Sequence, residues 1–294
     1  MMQRRAFFKT TGLGLAATVA VPAMQAAAAV ETAAAATDTF KLAIAGYTFH
    51  KFKLEQTLEM MKRVDVHYLC IKDFHLKLDC TAEEAAGFHA TCKAAGVTGY
   101  GVGPIYMDTE EKAKQAFDYA KRVGVKVLVG VPFEMVNKKR TASAKLLVTI
   151  NKLVQEYDIK YAIHNHGPDM PELFPNAESG MEMIKDMDKR VGLCLDIGHQ
   201  FRDGKDPVEA ILKYADRIHD IHIKNVTAPT KAGSGIEMPR GKINMPAVVK
   251  ALRKVGYTGA CSLEYEKDMA DPLLGIAESI GYFRGVMDST RCSA

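Results

Sequence analysis

Four short apolar runs in this sequence each end in side chains that can hold a metal or carry a proton. They read Ala-Ile-His164-Asn165-His166, Cys-Leu-Asp196-Ile-Gly-His199, Asp-Ile-His222-Ile-Lys224-Asn225 and Ser-Leu-Glu264-Tyr-Glu266. On a β-strand, residues two apart point to the same side. His164 therefore shares a face with His166, and His222 shares one with Lys224. If those faces turn to a common axis, His164, Asp196, His222 and Glu264 converge as two imidazoles and two carboxylates. A mixed nitrogen and oxygen set suits Mn²⁺, Zn²⁺, Co²⁺, Ni²⁺ or Fe²⁺ without choosing among them. It disfavours Ca²⁺, which prefers oxygen alone. A lone buried histidine is usually just hydrogen-bonded, and a lone Asp or Glu at a strand end is often a helix cap or an ion pair. Four successive segments ending this way are different, because burying so many ionisable groups together is costly without a cation.

The elements that must position these residues alternate along the chain. Strand-like runs are read at Lys41–Gly46, His67–Lys72, Val97–Val102, Val125–Val131, Lys160–His166, Val191–Asp196, Arg217–Lys224 and Gly259–Glu264. Most are unbroken apolar runs, as strands buried on both faces should be. Amphipathic helices are predicted at Leu54–Arg63, Ala82–Ala95, Glu110–Arg122, Ala142–Glu156, Ala177–Met187, Pro207–Tyr214, Pro246–Lys254 and Leu273–Val286. Gly96, Gly124 and Gly256 stand where helices must stop, and Pro207 and Pro246 stand in first turns. Eight strand–helix units over residues 37–294 give an α/β fold, a single-domain (β/α)₈ TIM barrel. An open doubly wound sheet is disfavoured, because no glycine-rich phosphate fingerprint follows the first strand. Gly99-Tyr-Gly101-Val-Gly103 lies within a strand and carries no cofactor meaning.

Residues 1–36 read as an export leader and spacer. Arg4-Arg5 precedes an uncharged, Ala-rich stretch from Gly12 to Ala29, with small residues near Ala26 and Ala28 for cleavage. This layout resembles a twin-arginine signal and implies a periplasmic protein. A stable membrane anchor is disfavoured, because Gly and Ala dominate the stretch. Cleavage there removes Arg4, Arg5 and Lys9 and takes the formal charge from +4 to +1. That balance excludes nucleic acid as an expected partner. The six cysteines show no C-x-x-C spacing. Cys70, Cys194 and Cys261 fall inside strands and read as buried free thiols. A twin-arginine substrate folds before export in a reducing compartment, which suits unpaired thiols.

Ile-His-Asn-His-Gly, Leu-Asp196-Ile-Gly-His199, His222-Ile-Lys224-Asn225, and the run from Arg240-Gly-Lys-Ile-Asn-Met-Pro through Gly256-Tyr-Thr-Gly-Ala-Cys-Ser-Leu-Glu264-Tyr-Glu resemble the xylose-isomerase-like sugar isomerase/epimerase superfamily. The resemblance extends over essentially all of residues 37–294. It implies a metal held by Glu, Asp, His and Glu from these strand ends. Asp196, His222 and Glu264 match three of those positions, His199 matches a substrate contact, and His166 matches the His of the Glu-Asn-His motif. The chain departs at His164, where the superfamily usually has a Glu that also serves epimerases as one of two opposed proton carriers. That departure weakens a two-base epimerase. It leaves room for dehydratase, hydratase or lyase chemistry, as in inosose dehydratases and enzymes of 3-keto-glycosides. Asn225, where the superfamily often has Asp, is a second departure.

These chemistries share removal of a proton next to a carbonyl. The candidates for acid, base and electrostatic support are His166, His199, Glu264 and Lys224. Lys72, His75 and Glu134 follow strands two and four and are placed to line the pocket, with surface ion pairing as the alternative. The long segment from Val226 to Asn244 reads as a substrate-covering loop, with Arg240 reaching the substrate. The expected partner is a small carbohydrate or cyclitol. Isomerase or epimerase, lyase or hydratase, and a sugar-binding barrel without catalysis all stay open, as does assembly into an oligomer.

Overall fold

A computed structural model describes residues 38–291. The leader expected over residues 1–36 lies outside the described residues. Eight parallel strands close into a ring. They are β1 (Lys41–Ala45), β2 (Tyr68–Ile71), β3 (Thr98–Met107), β4 (Val127–Val136), β6 (Lys160–His164), β7 (Val191–Asp196), β8 (Ile218–Ile223) and β11 (Ala260–Leu263). The order runs β3-β2-β1-β11-β8-β7-β6-β4, and pairing of β3 with β4 completes the barrel. Nine α-helices lie between and after the strands in the described residues: α1 (Leu54–Arg63), α2 (Ala82–Ala94), α3 (Glu110–Val123), α4 (Ala144–Tyr157), α5 (Ala177–Ile184), α6 (Ile197–Arg202), α7 (Pro207–Tyr214), α8 (Met245–Lys254) and α9 (Leu273–Ser289). No helix among the described residues is long and apolar enough to cross a membrane.

The strands form where the sequence is apolar on both faces, because the barrel buries one face in its interior and the other under helices. Every residue of β7 and of β8 is buried. Capping fixes where helices begin. Thr109 accepts from the Lys112 amide and Glu110 and Glu111 fill the first turn of α3, where negative charge meets the helix dipole. The same helix ends on Gly124 at φ 78°, a left-handed position that disfavours a Cβ.

Three local features differ from the sequence expectation. Strand β4 runs on past the barrel and turns back as β5 (Lys139–Ala142), an antiparallel hairpin. Its turn residues Asn137 and Lys138 both have positive φ. That suits a two-residue hairpin turn, but Asn-Lys lacks the glycine that usually announces one. Helix α6 starts directly on Asp196, so strand and helix share a residue and no loop signal separates them.

The third difference is the segment after β8, which is tied down rather than free. A two-strand ribbon, β9 (Asn225–Val226) with β10 (Gly235–Ile236), closes its base. The buried Asn225 amide donates to the Met238 and Ile243 carbonyls at 2.8 and 3.3 Å and accepts from the Val226 and Ile243 amides, each at 2.9 Å. Only an amide side chain both donates and accepts here. Replacing Asn225 by Asp removes both donors and aims a carboxylate at two carbonyls. Asn225→Asp should therefore lose about 1–3 kcal/mol of stability in urea unfolding. An unchanged midpoint would show that the amide does not organise this segment.

Candidate metal centre and active site

The interior ends of β6, β7, β8 and β11 bring His164, Asp196, His222 and Glu264 together. One ligand atom from each lies within 4.8 Å of the others, and all four residues are buried. His164 Nε2 is 3.1 Å from His222 Nδ1, 3.7 Å from Asp196 Oδ2 and 3.8 Å from Glu264 Oε2. His222 Nδ1 is 3.3 Å from Glu264 Oε2.

Each side chain is held by its own element. Asn165 bridges the parting ends of β6 and β7: its Nδ2 donates to the Asp196 carbonyl and its Oδ1 accepts from the Asp196 amide. Asp196 caps α6 by accepting the His199 amide at Oδ1, 2.8 Å away. Its other oxygen, Oδ2, is buried in the cluster without a hydrogen bond, 3.0 Å from Lys224 Nζ. Lys224 Nζ also lies 2.8 Å from Glu264 and 2.9 Å from Glu266. Its stem passes Gly198, where a Cβ would strike the Lys224 Cγ and Cδ.

The electrostatics follow from this crowding. Burial opposes the Lys224 charge, but Asp196, Glu264 and Glu266 outweigh it and hold the ammonium well above the usual lysine range. Burial would raise Glu264, yet Lys224 and His222 pull it well below the usual carboxylate range. Asp196 is raised, chiefly by burial. His166 and His199 sit beside His164, with ring centroids 4.9 and 6.0 Å from it. Burial lowers His166 to about 3 and His199 well below its ordinary value, so both rings are neutral near pH 7.

The donor set fits a divalent ion. Two imidazole nitrogens and two carboxylate oxygens point at one small volume, and Asp196 Oδ2 is left without a hydrogen bond inside it. The Lys224 ammonium 3.0 Å away offsets part of that oxygen's charge, and two carboxylates and two imidazoles buried around one volume make a donor set that a divalent ion would complete.

Other expected site residues lie apart from this cluster or spend their polar atoms elsewhere. Lys72 Nζ is held by Asp73 and the Pro104 carbonyl. His75 Nε2 faces Thr57 and the Phe52 carbonyl, which fastens the segment after β2 to α1. Glu134 is exposed on the hairpin opposite Thr141. Arg240 forks onto Glu278 of α9 at 2.8 and 2.6 Å. It does not reach the cluster, because the segment carrying it is pinned against α9, with the Met238 amide on Ser279.

The structure adds residues that the sequence reading passed over. Tyr106, at the end of β3, places its hydroxyl 2.5 Å from His166 Nε2. Arg140, delivered by the hairpin, stacks over Tyr106 and Phe133 at 5.0 and 5.1 Å. Tyr106 ends a strand, and strand ends were the signal to follow. An aromatic residue there reads equally well as core.

Comparison with known proteins settles the family. The family model described as xylose isomerase-like TIM barrel matches residues 69–286. The chain belongs to this family. Among relatives of this xylose isomerase-like barrel, the rhizopine catabolism protein MocC of Rhizobium meliloti is 28% identical over 149 residues, 45% of this chain and 45% of the relative. An inosose dehydratase of Clostridium tetani is 27% identical over 142 residues, 43% of this chain and 47% of the relative. Each match thus spans less than half of the relative. The solved structure of IolI protein with a bound zinc atom has a TM-score of 0.66 at 18% identity, covering 85% of this chain and 99% of that one. It supports the fold alone.

Proposed function

We propose that this barrel is a divalent-metal-dependent enzyme that removes a proton next to a carbonyl of a sugar, keto-sugar or cyclitol and then eliminates or adds water at the neighbouring carbon. The observation that carries the reading is the buried convergence of His164, Asp196, His222 and Glu264, with an imidazole where a second carboxylate base would stand. The partial match to an inosose dehydratase supports the lyase direction.

A bound divalent ion would supply Lewis-acid stabilisation of negative charge on substrate oxygens. His164, Asp196, His222 and Glu264 are the residues that would hold it. Glu264, kept ionised by Lys224, suits a ligand better than a proton carrier. Lys224 adds a fixed positive charge near the developing enediolate. A neutral His166 or His199 accepts the proton as the C–H bond breaks and its electrons form the enediolate. The C–O bond at the next carbon then breaks, and the departing hydroxyl takes up a proton and leaves as water.

Incubation with sugars, 3-keto-sugars and cyclitols in deuterated water tests this, after metal analysis of the purified protein. The expected product differs from its substrate by one water, with deuterium at a single carbon. Clean interconversion of two epimers without loss or gain of water would end the lyase reading. A second reading, as an isomerase or epimerase, is favoured by the Tyr106–His166 pair. A phenol bonded to a neutral imidazole can return a proton from a second direction.

We also propose that residues 1–36 export the protein to the periplasm by the twin-arginine route. The five described cysteines are all free and buried, as folding before export would leave them. N-terminal sequencing of the periplasmic form should begin after the Ala-rich stretch. An intact Met1 would overturn the proposal.

A further inference from the structure

Directly beneath the candidate metal centre lies a second buried polar group that the chemistry above does not use. On β8, Asp220 and His222 are two residues apart and face the barrel interior, and both are completely buried. The Asp220 carboxylate is braced from across the barrel. Tyr100 of β3, on the opposite side of the ring, places its hydroxyl 3.0 and 3.1 Å from the two Asp220 oxygens and 2.5 Å from Ser262 Oγ. The Cys194 thiol faces the same carboxylate at 3.8 Å. Above it, His222 turns Nδ1 toward Glu264 and His164, while Nε2 points down at Asp220 Oδ2 across 3.7 Å. That nitrogen has no hydrogen-bond partner and no exposure to solvent.

We propose that Asp220 is a positioning residue for His222. Its carboxylate, held by the Tyr100 hydroxyl, which in turn meets Ser262 Oγ, accepts the Nε2–H of His222 and so keeps the Nδ1 lone pair aimed into the metal centre. The proposal rests on the reading of His222 as a ligand. A histidine ligand is a better one when its far nitrogen is committed elsewhere, because that bond fixes both tautomer and ring angle. Among the described residues, Asp220 is the carboxylate placed to take that role. The Glu264 oxygen is on the other side of the ring, at Nδ1. A 3.7 Å gap is wider than a hydrogen bond, and under the proposal a small turn of the His222 ring closes it whether or not a metal is bound. A carboxylate buried at the barrel axis carries a desolvation cost, and a tyrosine reaching across the barrel limits its freedom to turn away.

The test uses chelator-treated protein and two readouts. Zinc affinity is measured by competition with a chromophoric chelator in the native protein and in Asp220→Asn, which keeps the size and loses the charge. The expected loss is on the order of tenfold to a hundredfold, the range for an outer partner of a ligating histidine. The second readout is the downfield Nε2–H proton of His222 in NMR spectra, assigned by its disappearance in His222→Gln. It should be protected from exchange in the native protein and shifted or lost in Asp220→Asn. Zinc binding unchanged to within about threefold, well inside that range, together with an unmoved resonance, overturns the proposal. If Asp220→Asn does not fold, Tyr100→Phe keeps the carboxylate and removes its brace, and a smaller loss in both readouts is expected under the same criterion. Should the native protein take up no zinc, the metal centre itself fails. The Nε2–H resonance of the metal-free protein then still decides the contact: present in the native protein and lost in Asp220→Asn supports positioning, and absent from the native protein overturns it.

Discussion

Asp196→Asn and His222→Ala should each yield a folded barrel that has lost bound metal and activity together. Asp196 contributes one oxygen to the cluster and the other to the cap of α6. Changing it to Ala would mix loss of a ligand with loss of a cap, about 1 kcal/mol for such a residue. Asn keeps a side-chain oxygen for the His199 amide and removes the charge, which isolates the ligand role. The His222 ring lies among His164, Glu264 and Asp220, and its replacement by Ala leaves a cavity while Lys224 still faces the Glu264 carboxylate. Activity should fall on the order of 10²–10³ or more, the effect of removing one preorganised electrostatic group. Elemental analysis should show the metal absent, while circular dichroism and the thermal transition still report a cooperative barrel. The expectation follows from the layering of the fold. The hydrophobic core that holds strands to helices is contributed by residues such as Leu69, Leu128, Tyr161 and Phe283, and the site occupies one end of the barrel interior. If both variants unfold, these residues hold the fold together and the metal assignment loses its main support. If both retain full metal and activity, it fails outright.

The parts of this site that were legible in the sequence share one property: period-two placement at the end of an apolar run. His164, Asp196, His222 and Glu264 are each the last or next-to-last inward residue of a buried strand, and a closed parallel barrel leaves little freedom in where such residues point. The barrel was legible for the same reason, because strands buried on both faces are apolar throughout and helix ends carry Thr, Asp, Pro and Gly at fixed offsets. What stayed hidden depends on tertiary contacts. Asn225 reads as a departure from a family pattern until its four hydrogen bonds are seen, three of which join residues 13 and 18 positions away along the chain. Tyr106 and His166 are 60 residues apart, and Tyr100 and Asp220 are 120 apart. No local pattern pairs them. Arg240 was misplaced because a long segment rich in Gly, Pro and Lys looks free. Its anchors, Met238 on Ser279 and Arg240 on Glu278, lie on the last helix.

Lys224→Met should destabilise the metal-free protein by about 3–5 kcal/mol, the cost of breaking a buried ion pair and leaving charge behind. Methionine matches the length and bulk of the lysine stem, so packing against Gly198 is largely kept and the change is chiefly one of charge. Lys224 faces Asp196, Glu264 and Glu266 within 3.0 Å, and the first two carboxylates are buried. In the native protein the ammonium holds Glu264 well below its ordinary value of 4.5. A carboxylate depressed in the folded state stabilises that state above its unfolded pKa, and the contribution is lost as pH falls through the folded one. Without Lys224, burial dominates: Asp196, already raised, rises further, and Glu264 loses the main charge that holds it down and rises above its unfolded value. The sign then reverses: folding is penalised increasingly as pH climbs above about 4.5, the ordinary Glu value. The stability gap between native and variant should therefore be widest near pH 7–8 and shrink below about pH 4.5, measured by urea unfolding in the presence of chelator. Zinc should narrow the gap, because a divalent cation can neutralise the same two oxygens and any ligand of the folded state alone adds stability. A gap that is flat with pH and unaffected by zinc would mean that Lys224 matters only through packing, and that Asp196 and Glu264 do not form a charged cation site.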